Sequence, residues 1–218
     1  MPPGAEDQTR ERLIEAAGEV FAEQGFQAAT VRDICAKAGA NVAAVNYHFR
    51  DKMGLYVAVL QNSVCAASPA DVRSLMEQAA APEEALRLMI THMLHRMYRA
   101  GGRGGWHVRI MAHELARPTA ALDRVVAEVI GPNYIAMRQI LARILDTGPD
   151  DEITRLCAHS IVGQVVHYAH ATPVIERVWP GFELTEERVG RIAAHIADFS
   201  LHAVRALGNR TRERLLNE

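Results

Sequence analysis

The chain has 218 residues, enough for one large or two small domains, and its 49% hydrophobic content allows a sizeable core. A formal net charge of −2, from 24 Lys+Arg against 26 Asp+Glu, excludes a strongly basic protein that grips nucleic acid by bulk charge. The helical runs are interrupted by Arg and His, so none is expected to span a membrane, and the polar start MPPGAEDQTRER lacks a signal-peptide core.

In chain order, residues 1–8 read as a loose arm. A first helix is expected over about Thr9–Gln24, with Leu13, Ile14, Ala17, Val20 and Phe21 on one face. Gly25 ends it, and Phe26 folds back onto it. Thr30 caps a second helix, and Asp33 three residues on completes a Thr-x-x-Asp capping pattern. Val31, Ile34, Cys35 and Ala38 form its apolar face. Gly39 follows, where a tight turn needs positive φ. Asn41 caps a third helix. Val42, Val45 and Phe49 give that helix its inner face, which leaves Ala43, Ala44, Asn46, Tyr47 and His48 outside. Asp51 is the N-cap of a fourth helix to about Ala67, and Ser68-Pro69 marks a break.

Two short helices joined by a glycine turn form a helix-turn-helix signature. In such a unit the second helix enters the major groove and offers its N-terminal side chains to base edges. Here the first residues of that helix are small, so it can sit deep. Asn41, Tyr47 and His48 can bond phosphates and fix register, and Lys52 adds a phosphate contact. The charge of this region does not favour DNA. Arg10, Arg12, Arg32, Lys37, Arg50 and Lys52 face Glu6, Asp7, Glu11, Glu15, Glu19, Glu23, Asp33 and Asp51. Binding must rest on local placement, with the acids of the first helix turned away from the phosphates.

The run from Thr9 to Leu60 resembles the DNA-binding domain of TetR-family transcriptional regulators. The matching residues are Ile14, Ala16, Ala17, Phe21, Gly25, Phe26, Thr30, Ile34, Ala38, Gly39, Tyr47, His48, Phe49, Lys52, Leu55 and Tyr56. Tyr-His-Phe with Lys three residues later is the strongest marker. Asn46 departs from the aromatic residue many members carry before Tyr-His-Phe, so the operator can differ. The resemblance implies an all-α protein. A helix-turn-helix DNA-binding domain over 1–52 precedes a larger helical effector-binding and dimerisation domain over 53–218. It implies a homodimer on a palindromic double-stranded DNA operator, contacted by Thr30, Asn41, Val42, Ala43, Asn46, Tyr47 and His48 with Lys52 anchoring. It also implies cytoplasmic action, no cofactor and no enzymatic role.

The remainder reads as all-helical. A helix begins at Pro82-Glu83-Glu84 and runs to Tyr98, followed by a flexible loop, Ala100–Gly105. A helix from Trp106 ends before Pro118. A stretch from Thr119 to Leu145 is broken or kinked at Gly131-Pro132. Glu152–Ala171 and Glu186–Leu207 are long amphipathic helices separated by a Pro- and Trp-containing segment, Thr172–Leu184. The body is similar to the CecR-like branch through Arg109-Ile-Met-Ala-His-Glu114-Leu, Pro118-Thr119 and Gly131-Pro132. In TetR-like proteins the final helices pair between subunits, which implies a dimer interface at Ile161, Val165, Ile192, Ile196, Phe199 and Ala203. Such a body implies an effector cavity without naming the effector.

Met93, Met97, Trp106, Arg109, Met111, His113, Tyr134 and Met137 are the candidates to line that cavity, since Met adapts to varied shapes. The pairs His92/His95 and His167/His170, with Glu114 beside His113, raise the possibility of a metal sensor, although no dense ligand motif is present. Cys35, Cys65 and Cys157 are widely spaced and odd in number, which points to reduced, buried thiols. The same thiols raise a redox sensor, and the acid excess of the N-terminal region raises a small-molecule-binding module with no DNA binding. No nucleophile elbow, phosphate loop or dinucleotide fingerprint is present.

Overall fold

The computed structural model describes residues 5–64, 74, 77–99 and 105–216, without the side chains of 5, 169 and 210–216. Every regular element among them is helical: α1 (Ala5–Ala28), α2 (Val31–Ala38), α3 (Val42–Phe49), α4 (Lys52–Ser63), α5 (Pro82–Arg99), α6 (Trp106–Ala116), α7 (Ala120–Val125), a π-helical turn (Val126–Ile130), α8 (Gly131–Leu145), α9 (Glu152–His170), α10 (Thr172–Val178) and α11 (Glu186–Leu216). No helix among the described residues is long and apolar enough to cross a membrane.

Two differences from expectation have simple causes. Helix α1 starts at Ala5 rather than Thr9, helped by Glu6 and Asp7 in its first turn, where acids complement the helix dipole. The segment after α9 contains a helix, α10, because Pro173 sits in its first turn, where a missing N–H costs nothing. Gly25 does leave helical geometry (φ 75°, ψ 166°), and Phe26 lies 6.1 Å from the Phe21 ring. Near Gly131-Pro132, where a break or a kink is expected, the chain stays helical through a π turn, with Ile130 in helical geometry (φ −68°, ψ −47°) and Pro132 in the first turn of α8. Residues 1–4 of the expected arm, Cys65, Ser68-Pro69 and all of the expected loop before Gly105 lie outside the described residues.

The chain packs as two compact units, Met1–Val64 with Gly104–Glu128, and Cys65–Arg103 with Val129–Glu218. In the first, Leu13, Ile14, Ala17, Phe21, Ile34 and Leu55 form the interior, so the amphipathic faces read from the sequence meet each other. Phe21 stands edge-on to Tyr56 at 4.9 Å. In the second, α5, α8, α9 and α11 enclose a core that includes Leu86, Ile90, Met137, Leu141, Ile161 and Ile196.

Gly18 is where α1 and α6 approach each other closely. A Cβ there would stand 2.3–2.5 Å from atoms of the Trp106 ring. Trp106 is buried, stacks on His107 at 3.6 Å and donates from Nε1 to Glu15 Oε1 at 2.8 Å, so its ring has nowhere to retreat. Gly18→Ala is expected to lower stability by about 1–3 kcal/mol, read as a lower urea midpoint.

Candidate nucleic-acid interface

The interface is built from local caps. Thr30 has extended backbone, and its Oγ1 accepts from Asp33 N at 3.1 Å while donating to Asp33 Oδ2 at 2.7 Å. Gly39 closes α2 in the left-handed region (φ 62°). Asn41 Oδ1 accepts from Ala44 N at 3.0 Å and starts α3. These bonds satisfy orphan amides at the helix starts and fix the turn between the two helices.

Helix α3 is anchored by Val45 (0% exposed) and Phe49 (6%). Val42, which the sequence periodicity puts on the inner face, is 44% exposed. It shares that face at i, i+3, i+7 spacing, but as the first residue of the helix it stands at the rim, where nothing covers it fully. Asn41, Ala43 and Asn46 are exposed, Tyr47 is 71% exposed, and Ala44 and His48 are half-buried. The outward face is therefore a continuous strip of small and hydrogen-bonding residues on a two-turn helix. Thr30 is exposed at the neighbouring helix start.

Lys52 is less free than its motif suggests. Its Nζ donates to the Gln27 carbonyl at 3.3 Å and lies 4.6 Å from the Phe26 ring centroid. An ammonium has three N–H donors, so others remain for a phosphate while the carbonyl and ring hold the side chain in place.

Four of the eight acids of this region have local partners. Glu15 accepts from Trp106 and Glu19 pairs with Lys37. Asp33 is engaged by Thr30, and Asp51 Oδ1 accepts from Gly54 N at 2.7 Å. One acid departs from the expectation that α1 turns its acids away. Glu6 lines a depression of about 460 Å³ together with Thr9, Asn41, Ala43, Ala44, Tyr47 and His48.

Behind this face lies a buried polar cluster that sequence reasoning missed. The Glu114 carboxylate (1% exposed) accepts from the Tyr56 hydroxyl at 2.7 Å and from Thr119 N at 2.6 Å. The Thr119 hydroxyl reaches the same carboxylate at 3.0 and 3.3 Å. Burial first, and then the adjoining carboxylate, raise the Tyr56 pKa, so the phenol stays a donor. The sequence signal is a buried-face Glu followed by Pro118-Thr119, but its partner on α4 is distant in the chain.

The other predicted residues are distributed as follows. Trp106, Arg109, Met111 and His113 belong to the first unit and Met93, Met97, Tyr134 and Met137 to the second. Trp106 seats on α1, Arg109 and His113 are exposed, and Met111 is half-buried. Met97 and Met137 are core residues, with Met93 and Tyr134 packed against them. Of the residues assigned to a subunit interface, Ile161, Val165, Ile192 and Ile196 are buried in their own unit. Phe199 is 61% exposed and Ala203 is exposed. Leu156 (55%) and Val166 (37%) are further exposed apolar residues of α9.

Among the described residues no three His, Cys, Asp or Glu side chains gather as a metal set, and Glu114 is taken up by Tyr56 and Thr119. Cys35 and Cys157 are buried free thiols whose pKa burial raises, which disfavours the reactive thiolate.

The chain matches two families of known proteins. The family described as bacterial regulatory proteins, tetR family, matches residues 13–59. The family described as the C-terminal domain of the HTH-type transcriptional dual regulator CecR matches residues 82–204. The chain is 26% identical to the CecR dual regulator of Shigella flexneri over 202 residues, covering 87% of this chain and 90% of the relative. It is 30% identical over 84 residues to the transcriptional repressor NicS of Pseudomonas putida, covering 38% and 39% of the two chains. The structure of the fatty acid degradation regulator FadR from Bacillus halodurans shares the fold, with a TM-score of 0.63, 18% identity, and 88% and 97% of the two chains covered.

Proposed function

The chain belongs to the TetR family of DNA-binding transcriptional regulators, with a CecR-type C-terminal domain, and from that premise we propose that it is a ligand-responsive repressor acting as a homodimer on a palindromic operator. The observation that carries the reading is α3, capped at its start by Asn41, anchored by Val45 and Phe49, and presenting Asn41–Ala43, Asn46 and Tyr47 outward. His48, Thr30 and Lys52 complete the contact set. We divide the roles at residue 52, with DNA contact before it and effector binding and dimerisation after it.

One two-turn helix reads few base pairs, so a two-fold dimer that reads two half-sites gives the specificity a repressor needs. The exposed apolar residues Leu156, Val166 and Phe199, with Ala203, are the interface we assign, because their inward neighbours are already buried within one unit. The adaptable Met93, Met97 and Met137, with Tyr134, are the residues we assign to an apolar effector in the second unit. An effector favouring a different separation of the two recognition helices would shift the population away from the binding state. Half-sites lie roughly 34–36 Å apart, so a small change of separation suffices. The regulator would work in the cytoplasm.

A binding module without DNA contact would rest on the acid excess of the N-terminal region. The partners of Glu15, Glu19, Asp33 and Asp51 weaken that ground. Fluorescence anisotropy with duplexes from the promoter region of the gene itself tests the reading. Salt-sensitive, sequence-selective binding is expected, with Tyr47→Ala and Lys52→Ala each weakening it about tenfold. Absence of selective binding, or indifference to both substitutions, would falsify it.

A further inference from the structure

Glu6 is out of place in a surface that receives a polyanion. It shares the depression with Thr9 of its own helix and with Asn41, Ala43, Ala44, Tyr47 and His48 of the recognition segment. Glu6 and Thr9 are three residues apart and so share a helix face. The end of α1 is held beside α3 by Arg10, whose guanidinium stands 5.5 Å from the Phe49 ring centroid. Arg10 is four residues from Glu6 and would ordinarily be its ion-pair partner. Glu6 makes no ion pair with a described residue, so its carboxylate is left to meet whatever enters the depression.

A carboxylate can only accept hydrogen bonds. Nearly everything DNA presents outward also accepts: phosphate and sugar oxygens, purine N7, guanine O6 and thymine O4. The donors in the major groove are the exocyclic amines of cytosine and adenine. Adenine N6 is flanked by the N7 acceptor, which repels a carboxylate, whereas cytosine N4 has no such neighbour on that edge. Resting on the reading of this face as a DNA surface, we infer that Glu6 is a base-reading residue whose carboxylate accepts from the N4 amine of one cytosine in each half-site, beside the bases met by Asn41–Ala43. The same charge repels any other base or a phosphate at that point. It thereby lowers affinity for unrelated DNA, in keeping with a region that carries no excess of positive charge.

The test is selection from a pool of duplexes with a random core, using the full-length protein and its Glu6→Ala and Glu6→Gln variants. Glu6 is exposed, so both variants should stay folded and lose no more than the small contribution of a first-turn charge. The parent is expected to select a C·G pair at one position of each half-site. Glu6→Ala should lose that preference and bind the selected duplex about 5- to 100-fold more weakly. Glu6→Gln should move the preference toward A·T, since an amide matches adenine N6 and N7. Tighter binding of Glu6→Ala to every duplex with an unchanged consensus would overturn the inference and leave only phosphate repulsion. So would a consensus identical in all three proteins. If the parent enriches no sequence at all, the DNA-binding reading itself fails and the inference goes with it.

Discussion

Glu114→Ala is expected to remove about 2–5 kcal/mol of stability, the larger part of it from donors stranded without an acceptor. The carboxylate is 1% exposed and takes the Tyr56 hydroxyl at 2.7 Å and Thr119 N at 2.6 Å. Truncation leaves the buried Tyr56 O–H and the part-buried Thr119 N–H without their acceptor, each at about 1–3 kcal/mol with the N–H at the low end, and adds a small cavity. Glu114→Gln keeps the shape and one good acceptor but brings N–H donors toward the donating Tyr56 hydroxyl and Thr119 N, so about 1–2 kcal/mol is expected. Tyr56→Phe should cost a similar amount, since the carboxylate keeps Thr119. Urea midpoints of the single variants and of the Tyr56→Phe/Glu114→Gln double variant measure the pair. Additive losses would mean that the hydroxyl and the carboxylate do not act together.

This cluster also concerns DNA contact. Tyr56 lies one turn into α4, whose first residue is Lys52 and whose N-cap is Asp51. Through Glu114 and Thr119 the end of α6 and the start of α7 hold α4 within the same compact unit as the recognition helix. Loss of the carboxylate is therefore expected to weaken DNA binding as well as lower the unfolding midpoint.

Local features are legible in the sequence, and non-local ones are not. Thr30, Asn41 and Asp51 each accept from an amide three residues on, so their roles follow from residue type and position alone. Gly39 and Gly25 announce themselves in the same way, as residues free to take positive φ. Trp106 reads as a pocket residue because nothing in its neighbourhood reveals that its seat is Gly18 on a helix far earlier in the chain. Glu114 reads as a possible metal ligand for the same reason, since its hydrogen-bond partner Tyr56 is 58 residues away. The apolar stripes of α9 and α11 are plain in the sequence as stripes. Periodicity defines a face without saying which body covers it, and Ile161, Val165, Ile192 and Ile196 face their own core. Leu156 and Phe199 lie on the same stripes yet stay exposed, and periodicity alone does not mark which part of a broad stripe is left uncovered. Glu6 reads as one acid among many, and only the approach of α1 to α3 sets it apart.

Gly54→Ala is expected to abolish selective DNA binding while leaving the second unit untouched. A Cβ at Gly54 would lie 2.0 Å from the Phe49 carbonyl oxygen and 3.1 Å from its carbon. Both atoms are backbone at the last turn of α3, so no rotamer change relieves the clash. The corner is closed on both sides. Arg50 takes a positive φ of 73° with its N–H on the Asn46 carbonyl at 3.1 Å, and Asp51 Oδ1 holds Gly54 N at 2.7 Å. A methyl group can enter only if α3 moves away from α4 by roughly 1 Å, the distance needed to restore van der Waals contact. Recognition tolerates displacements of about 0.5 Å, so binding to the preferred duplex should fall at least about tenfold. Overpacking should lower stability by about 1–3 kcal/mol. Anisotropy titrations and urea midpoints on the same preparation separate the two effects, since Gly18→Ala lowers the midpoint without touching this corner. A Gly54→Ala protein that binds like the parent would show that the α3–α4 corner does not set the presentation of Asn41–Ala43, Asn46 and Tyr47.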